Sequence, residues 1–248
     1  MAKQKGVHGA SVSKAPPDSA SHKSLRPNAP LLVNEIVDKI ETGILFGEFK
    51  PREHLVQDQL AEKYAVERNV IRSALKMLAE KSVIEHFPNR GSVVKEFTAK
   101  NAKDLYRLRF LLEGMAAEMA ATRMSPDGIR ELKSLSDEME KNLENDDLRG
   151  FTLAHEKFHQ IIFESADDFY LSKMIRELRS ASASIRNFSY SRYSLPENKG
   201  NLFNEHKQMI ACLANEDARK MGEISRNHIR AGINHYLRNF FPQEKLLD

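Results

Sequence analysis

The sequence predicts a mainly α-helical protein: three helices and a β-hairpin near the N-terminus, then an all-α antiparallel helical bundle. Three observations predict it. Of 248 residues, 41% are hydrophobic and 29% charged, enough apolar material for packed cores and too much for wholesale disorder. Aromatic residues reach only 8%, Trp is absent, and Gly and Pro number 11 and 9, few turn formers for a sandwich or a propeller. Apolar residues recur at helical spacing along most of the chain. No run of about 18 apolar residues occurs, so no membrane span is expected. The single cysteine, Cys212, cannot form an internal disulfide and reads as buried filler, which favours a reducing, cytoplasmic setting.

Residues 1–28 hold five Lys/Arg against Asp18 alone, with Ser, Ala and Pro and almost no large apolar side chain. Such a segment cannot offset its ordering entropy, so a disordered basic tail is expected, either a plain solvated extension or one that touches nucleic acid. It has no apolar stretch of the kind a secretory signal needs. The first folded unit is expected over 29–98. Leu32, Ile36, Ile40 and Ile44, widened by Val33 and Val37, make a helical stripe that Gly47 and Pro51 close. A second helix follows at 56–64 and a third at 67–80. Strands at 83–87 and 92–97 are joined by Pro88-Asn89-Arg90-Gly91, which supplies turn geometry. This order is that of a winged helix-turn-helix.

On a helical wheel at about 100° per residue, Ile71, Ala74, Leu75 and Leu78 form the buried stripe of the third helix. Asn69, Arg72, Ser73 and Lys76 lie opposite, with Arg68 at the margin. Arg and Asn on such a face can make paired hydrogen bonds to base edges in a major groove. An ordinary solvated face would show the same charges. From Arg68 to Lys95 there are six Lys/Arg against two Glu, and Arg90 and Gly91 at the hairpin tip could reach phosphate or the minor groove.

The stretch 32–96 resembles the DNA-binding domain of GntR-family transcriptional regulators. The resemblance is carried by Gly47-Glu48-Phe49-Lys50-Pro51, by Gln59-Leu60-Ala61-Glu62-Lys63-Tyr64, by Arg68 and Arg72 with Ala74-Leu75, and by Pro88-Asn89-Arg90-Gly91-Ser92. It implies DNA contacts at Arg68, Asn69 and Arg72 and close backbone approach at Gly91. Four positions depart from the family pattern: Arg52 stands where a Gly is usual, Glu67 where a Ser or Thr caps the helix, Val70 where a Pro or Thr is usual, and Asp58 where an Arg often touches DNA. A carboxylate at 58 or 67 would repel phosphate.

The second unit, 99–248, reads as six helices at 102–123, 126–145, 148–165, 168–190, 197–214 and 216–240. Ser125-Pro126 is an N-cap followed by Pro at the first helical position. Asn145-Asp146-Asp147 breaks one helix and opens the next. Asn215 is suited to a left-handed helix end, with Asp217 in the next first turn. Residues 191–200, with Pro196 and Gly200, read as the longest loop. His155 and His159 stand i, i+4 on one helix face. His206 and His228 lie on the fifth and sixth helices, where antiparallel packing could bring them level. Imidazoles converging in a bundle core would make a divalent-metal site suited to zinc, nickel, copper or iron. The spacing equally allows unrelated surface or hydrogen-bonded core histidines.

Residues 104–240 resemble the FCD ligand-binding domain of the FadR subfamily. Asp104-Leu105-Tyr106-Arg107-Leu108-Arg109-Phe110-Leu111-Leu112-Glu113 is similar to its first helix, and His155-Glu156-Lys157-Phe158-His159 to its Asp-x-x-x-His motif. His206 and His228 are similar to its later ligands. The resemblance implies a divalent transition metal, zinc or nickel first, on His155, His159, His206 and His228, with His155 in place of the family's Asp. It implies a small carboxylate effector that completes the coordination, with Arg109 and Arg186 as its basic contacts. Arg109 could instead pair with Glu113, and Arg176 and Arg179 read as a solvated face. The whole implies a ligand-responsive repressor that binds double-stranded operator DNA as a homodimer. Two other readings stay open: a metal-dependent enzyme on the four histidines, and a winged helix that binds protein. No GxSxG or P-loop motif is present, and no catalytic residue is expected.

Overall fold

A computed structural model describes residues 29–193 and 196–247. The expected tail over 1–28 lies outside the described residues. In helix α1, Ala29–Leu45, the stripe Ile36, Val37, Ile40 and Ile44 is at most 1% exposed. Helix α2, Gln57–Tyr64, ends at Ala65 in the left-handed region, and helix α3, Arg68–Glu80, follows. Ile71, Ala74, Leu75 and Leu78 of α3 pack on α1, as the wheel predicts.

Strands β1, Ile84–Phe87, and β2, Gly91–Val94, pair antiparallel from Ile84↔Val94 to Phe87↔Gly91. The second strand is shorter than expected. One more backbone bond, Lys95 N to Val83 O, follows it before Thr98 caps the next helix. At the hairpin turn Asn89 and Gly91 take positive φ, +62° and +81°, which is why Asn and Gly suit those positions.

The bundle has seven helices among the described residues: α4 Ala99–Ala121, α5 Pro126–Glu144, α6 Leu148–Glu164, α7 Phe169–Ala181, α8 Ala183–Tyr193, α9 Pro196–Ala214 and α10 Ala218–Phe240. Thr98, Ser125, Asp147, Asp168 and Asp217 each accept a backbone N–H at a helix start, the capping that Ser, Thr and Asp favour. The single helix expected over 168–190 is two helices. The chain breaks at Ser182, whose Oγ donates to the Arg179 carbonyl and accepts from Arg109. That tertiary contact leaves no periodicity signal. The loop expected over 191–200 is largely helical, because Pro196 opens α9 at its first position, where its missing N–H costs nothing. Glu216, rather than Asn215, takes the left-handed conformation before α10.

α4 and α10 run antiparallel and close. Ser225 meets the Glu113 carbonyl near one end and Lys103 meets Glu244 at the other. Gly222 is needed there: a Cβ on it would lie 2.4 Å from the Glu118 side chain. Ala116, Ala117, Ala120 and Ala121 of α4 are buried among Leu132, Met139, Phe151, Phe158, Ile162 and Ile175. The core of the first unit takes in Ala183 of α8, and the Asn187 amide donates to Leu45 O, the end of α1, at 2.8 Å. α8 is therefore the strut between the winged helix and the bundle. No described helix is long and apolar enough to cross a membrane.

Candidate DNA-reading face and metal centre

The buried stripe of α3 fixes which side of the helix meets solvent. Arg68, Asn69, Arg72, Ser73 and Lys76 are all exposed on the opposite side, and Arg90 and Gly91 are exposed at the hairpin tip. Arg72 makes no ion pair among the described residues. Arg68 is differently placed: its Nε donates to Gln57 Oε1 at 3.2 Å and its Nη1 lies 3.3 Å from Asp58 Oδ1. Asp58 and Gln57 therefore both hold this side chain on the α2 side. Lys76 sits 4.0 Å from Glu80, a loose exposed pair of little energetic weight.

In the bundle, α6 carries His155 and His159, α9 carries His206 and α10 carries His228. The structure brings all four together. Their six ring-to-ring distances run from 4.5 to 5.7 Å. One nitrogen from each falls within 4.8 Å of the others, and the Nε2 atoms of His155 and His159 are 3.3 Å apart. His155, His159 and His206 are buried; the His228 side chain is 11% exposed. Burial first, then the neighbouring imidazoles, pushes His155, His159 and His206 well below the ordinary histidine value of 6.5. They are neutral at pH 7, the form that binds a metal. His206 is fully buried with both ring nitrogens lacking a hydrogen-bond partner. An orphaned buried imidazole is costly, and a cation among the four rings would take up one of its two nitrogens. His228 Nδ1 lies 2.7 Å from Glu205 Oε2, the carboxylate contact that orients a metal-ligating histidine. The residues present fit a divalent metal.

Beside the rings is a cavity of about 40 Å³ lined by Tyr106, Arg109, His155, His159, Arg186 and His228 among others. Arg109 and Arg186 reach it as expected, but both are engaged. Arg109 Nε donates to Glu113 Oε1 at 2.6 Å, so the expected alternative pair forms. Arg186 donates to the Arg179 carbonyl at 2.9 Å and pairs with Glu156.

Arg179 corrects the reading of a solvated face. It is buried, 3.3 Å from Glu113 and 2.9 Å from Glu156. Burial would raise the Glu113 carboxyl, but Arg109 and Arg179 outweigh it and hold Glu113 below the usual range. Sequence reasoning missed Arg179, Glu156 and Glu205 as parts of this site. For Arg179 the available signal was spacing: it is in phase with buried Ser172 and Ile175 on α7. Arg176, by contrast, is exposed as read.

Residues 104–231 match the profile of the FCD domain, and residues 32–94 that of the bacterial regulatory proteins of the gntR family. The chain belongs to the GntR family and carries an FCD domain. This GntR-family chain is 24% identical over 203 residues to YdhC, an HTH-type transcriptional regulator of Bacillus subtilis (strain 168), with 81% of this chain and 87% of YdhC covered. It is 23% identical over 207 residues to RspR, an HTH-type transcriptional repressor of Escherichia coli (strain K12), with 83% and 89% covered. The solved structure of E. coli McbR matches with a TM-score of 0.77 at 18% identity, over 84% of this chain and 98% of McbR, a likeness of fold.

One departure from the GntR pattern has a backbone consequence. Arg52, where a Gly is usual, takes φ +67° while its N–H donates to Val94 O at 2.9 Å. The turn needs the left-handed region, which glycine enters freely and arginine does not.

Proposed function

We propose that this GntR-family transcription regulator is a repressor whose hold on an operator is set by a divalent metal and a small carboxylate in its FCD bundle. Each of the two units has its own role. The first, 29–98, reads DNA; the second, 99–248, binds the metal and effector and dimerises. Arg72, Asn69 and Ser73 address base edges. Arg68, Lys76 and Arg90 address phosphate or the groove margin, and Gly91 lets the hairpin backbone approach. The exposure of these donors opposite the buried stripe of α3 supports that reading.

The metal reading rests on one observation: four imidazoles from three helices within 4.8 Å, with His206 otherwise unsatisfied. Zinc and nickel suit an all-imidazole set. Replacing the family's Asp with His155 leaves the ion more positive, which favours an anionic ligand. The metal supplies a positive centre for a carboxylate. The chain's own residues keep water scarce there, hold the imidazoles neutral, and place Arg109 and Arg186 at the cavity wall. That cavity of about 40 Å³ has room for little more than a carboxylate head group or a few waters at about 10–15 Å³ each.

Leu108, Leu111 and Met115, 47–58% exposed, fall on one face of α4. A second copy covering that face would place two readers on the half-sites of a near-palindromic operator. RspR is a repressor by name, and on that likeness we read repression that the effector relieves. An enzyme reading is disfavoured, since Glu156, the acid within the HExxH run 155–159, is taken by two arginines, and Glu205, next to His206, is taken by His228.

Elemental analysis together with thermal-shift titration by acetate and malonate tests the proposal. The expected outcome is bound metal and a carboxylate shift that disappears on chelation. No metal in the isolated protein, with no metal-dependent shift, would overturn it.

A further inference from the structure

A larger cavity, of about 400 Å³, opens on the other side of the same arginines. It lies between α1 of the winged helix and α6 and α7 of the bundle. Its volume falls within the range of small-molecule sites, about 300–1,000 Å³. Arg179 and Arg186 line both cavities. Both are more than nine-tenths buried, and together they grip the Glu156 carboxylate. Their two forks are thus already arranged as a carboxylate cradle at the inner end of the cleft.

The opposite wall has the opposite character. α1 presents Asp38 and Glu41. Glu41 pairs with Lys81 at 3.5 Å, whereas Asp38 makes no ion pair or hydrogen bond among the described residues. Ser180, which also lines the cleft, is 5% exposed, and its Oγ has no hydrogen-bond partner. Five acidic and five basic side chains line the cleft. Such a lining offers little to a net anion at long range but suits a molecule with separated charges.

We propose that this cleft is a second small-molecule site, separate from the metal, for a zwitterionic amino acid. Its α-group and its side-chain group span the cleft, a carboxylate in the Arg179–Arg186 cradle in competition with Glu156 and a cationic group at Asp38, and Ser180 supplies a hydroxyl. A ligand held there touches α1 and the bundle at once. Its binding therefore biases the position of the reader, alongside the α8 strut.

The test is a thermal-shift titration of the full-length protein, as isolated and after chelation, with L-glutamate, L-leucine, L-arginine and L-serine separately. Malonate and putrescine serve as single-pole controls. At least one amino acid is expected to raise the melting temperature equally with and without metal, and putrescine and metal-free malonate are expected to give no shift. Asp38→Lys, a change at an exposed position, is expected to abolish the amino-acid shift while the protein stays folded. Metal independence separates this site from the carboxylate site on the histidines, so either can fail alone. Absence of any amino-acid shift, a shift lost on chelation, an equal shift from malonate without metal, or a shift that survives Asp38→Lys would each overturn the proposal.

Discussion

His228 Nδ1 lies 2.7 Å from a Glu205 carboxylate oxygen, and that contact decides which nitrogen of His228 faces the other three rings. A carboxylate on Nδ1 keeps the proton there and leaves the Nε2 lone pair for a cation. Removing such a partner typically weakens metal binding by about 10–100-fold. Glu205→Ala is therefore expected to lower metal affinity by about that factor in a chelator-competition titration, with the helical circular dichroism retained. An unchanged affinity would mean that His228 is oriented by something else.

The reading face makes a paired prediction. Arg72→Ala removes a donor with no competing ion pair among the described residues, and is expected to cost about 1–3 kcal/mol of operator binding. Asp58→Asn is expected to act the other way, because it frees Arg68 and removes an anion from the proposed reading face. Fluorescence anisotropy on operator duplex at several salt concentrations measures both. Equal affinity for Arg72→Ala and the wild type at moderate salt would count against α3 as the reader.

Glu113 gives the pH dependence. It is buried between Arg109 and Arg179, and despite its burial those charges hold its folded pKa below the ordinary 4.5. A depressed carboxylate contributes stability that is complete above its unfolded pKa and is lost as pH falls through the folded one. Glu113→Gln leaves buried Arg109 without its anion and Arg179 with Glu156 alone, and about 3–5 kcal/mol of destabilisation is expected at pH 7. In urea melts the gap between variant and wild type is expected to narrow as pH drops below 4.5. A gap that is constant with pH would place its origin in packing rather than charge.

Much of this architecture was legible from the residues because it is local. The α3 stripe and its exposed donors follow from the helical period alone, since one face of a short helix must be buried. His155 and His159 fall on one face for the same reason. The convergence of His206 and His228 on them was not a matter of spacing; it came from likeness to the FCD pattern, and the tertiary arrangement that points α6, α9 and α10 at one centre produces it. Arg179 was misread because an arginine on a helix reads as solvated, although its phase with Ser172 and Ile175 puts it on the buried side of α7. Its two carboxylates come from α4 and α6, a tertiary arrangement with no local trace. The break at Ser182 was hidden for a like reason, as Arg109 from α4 supplies one of its hydrogen bonds.

Arg52 offers a stability test independent of function. It holds a positive φ that costs an L-residue about 1–2 kcal/mol, and its pair with Glu96 is exposed and of small weight. Allowing for the greater freedom of glycine in the unfolded chain, Arg52→Gly is expected to stabilise the protein by about 0.5–1 kcal/mol. Chemical denaturation reads this directly, and a loss of stability would assign the pair with Glu96 more weight than its exposure suggests.

The central claim is that four imidazoles in the bundle hold a cation. Its most direct test is elemental analysis of the full-length protein purified without an affinity-tag metal, beside His206→Ala. The account predicts a stoichiometric divalent ion, zinc or nickel, in the wild type and its loss in a variant that still folds. A wild type that carries no metal and takes up none when zinc or nickel is added would contradict it.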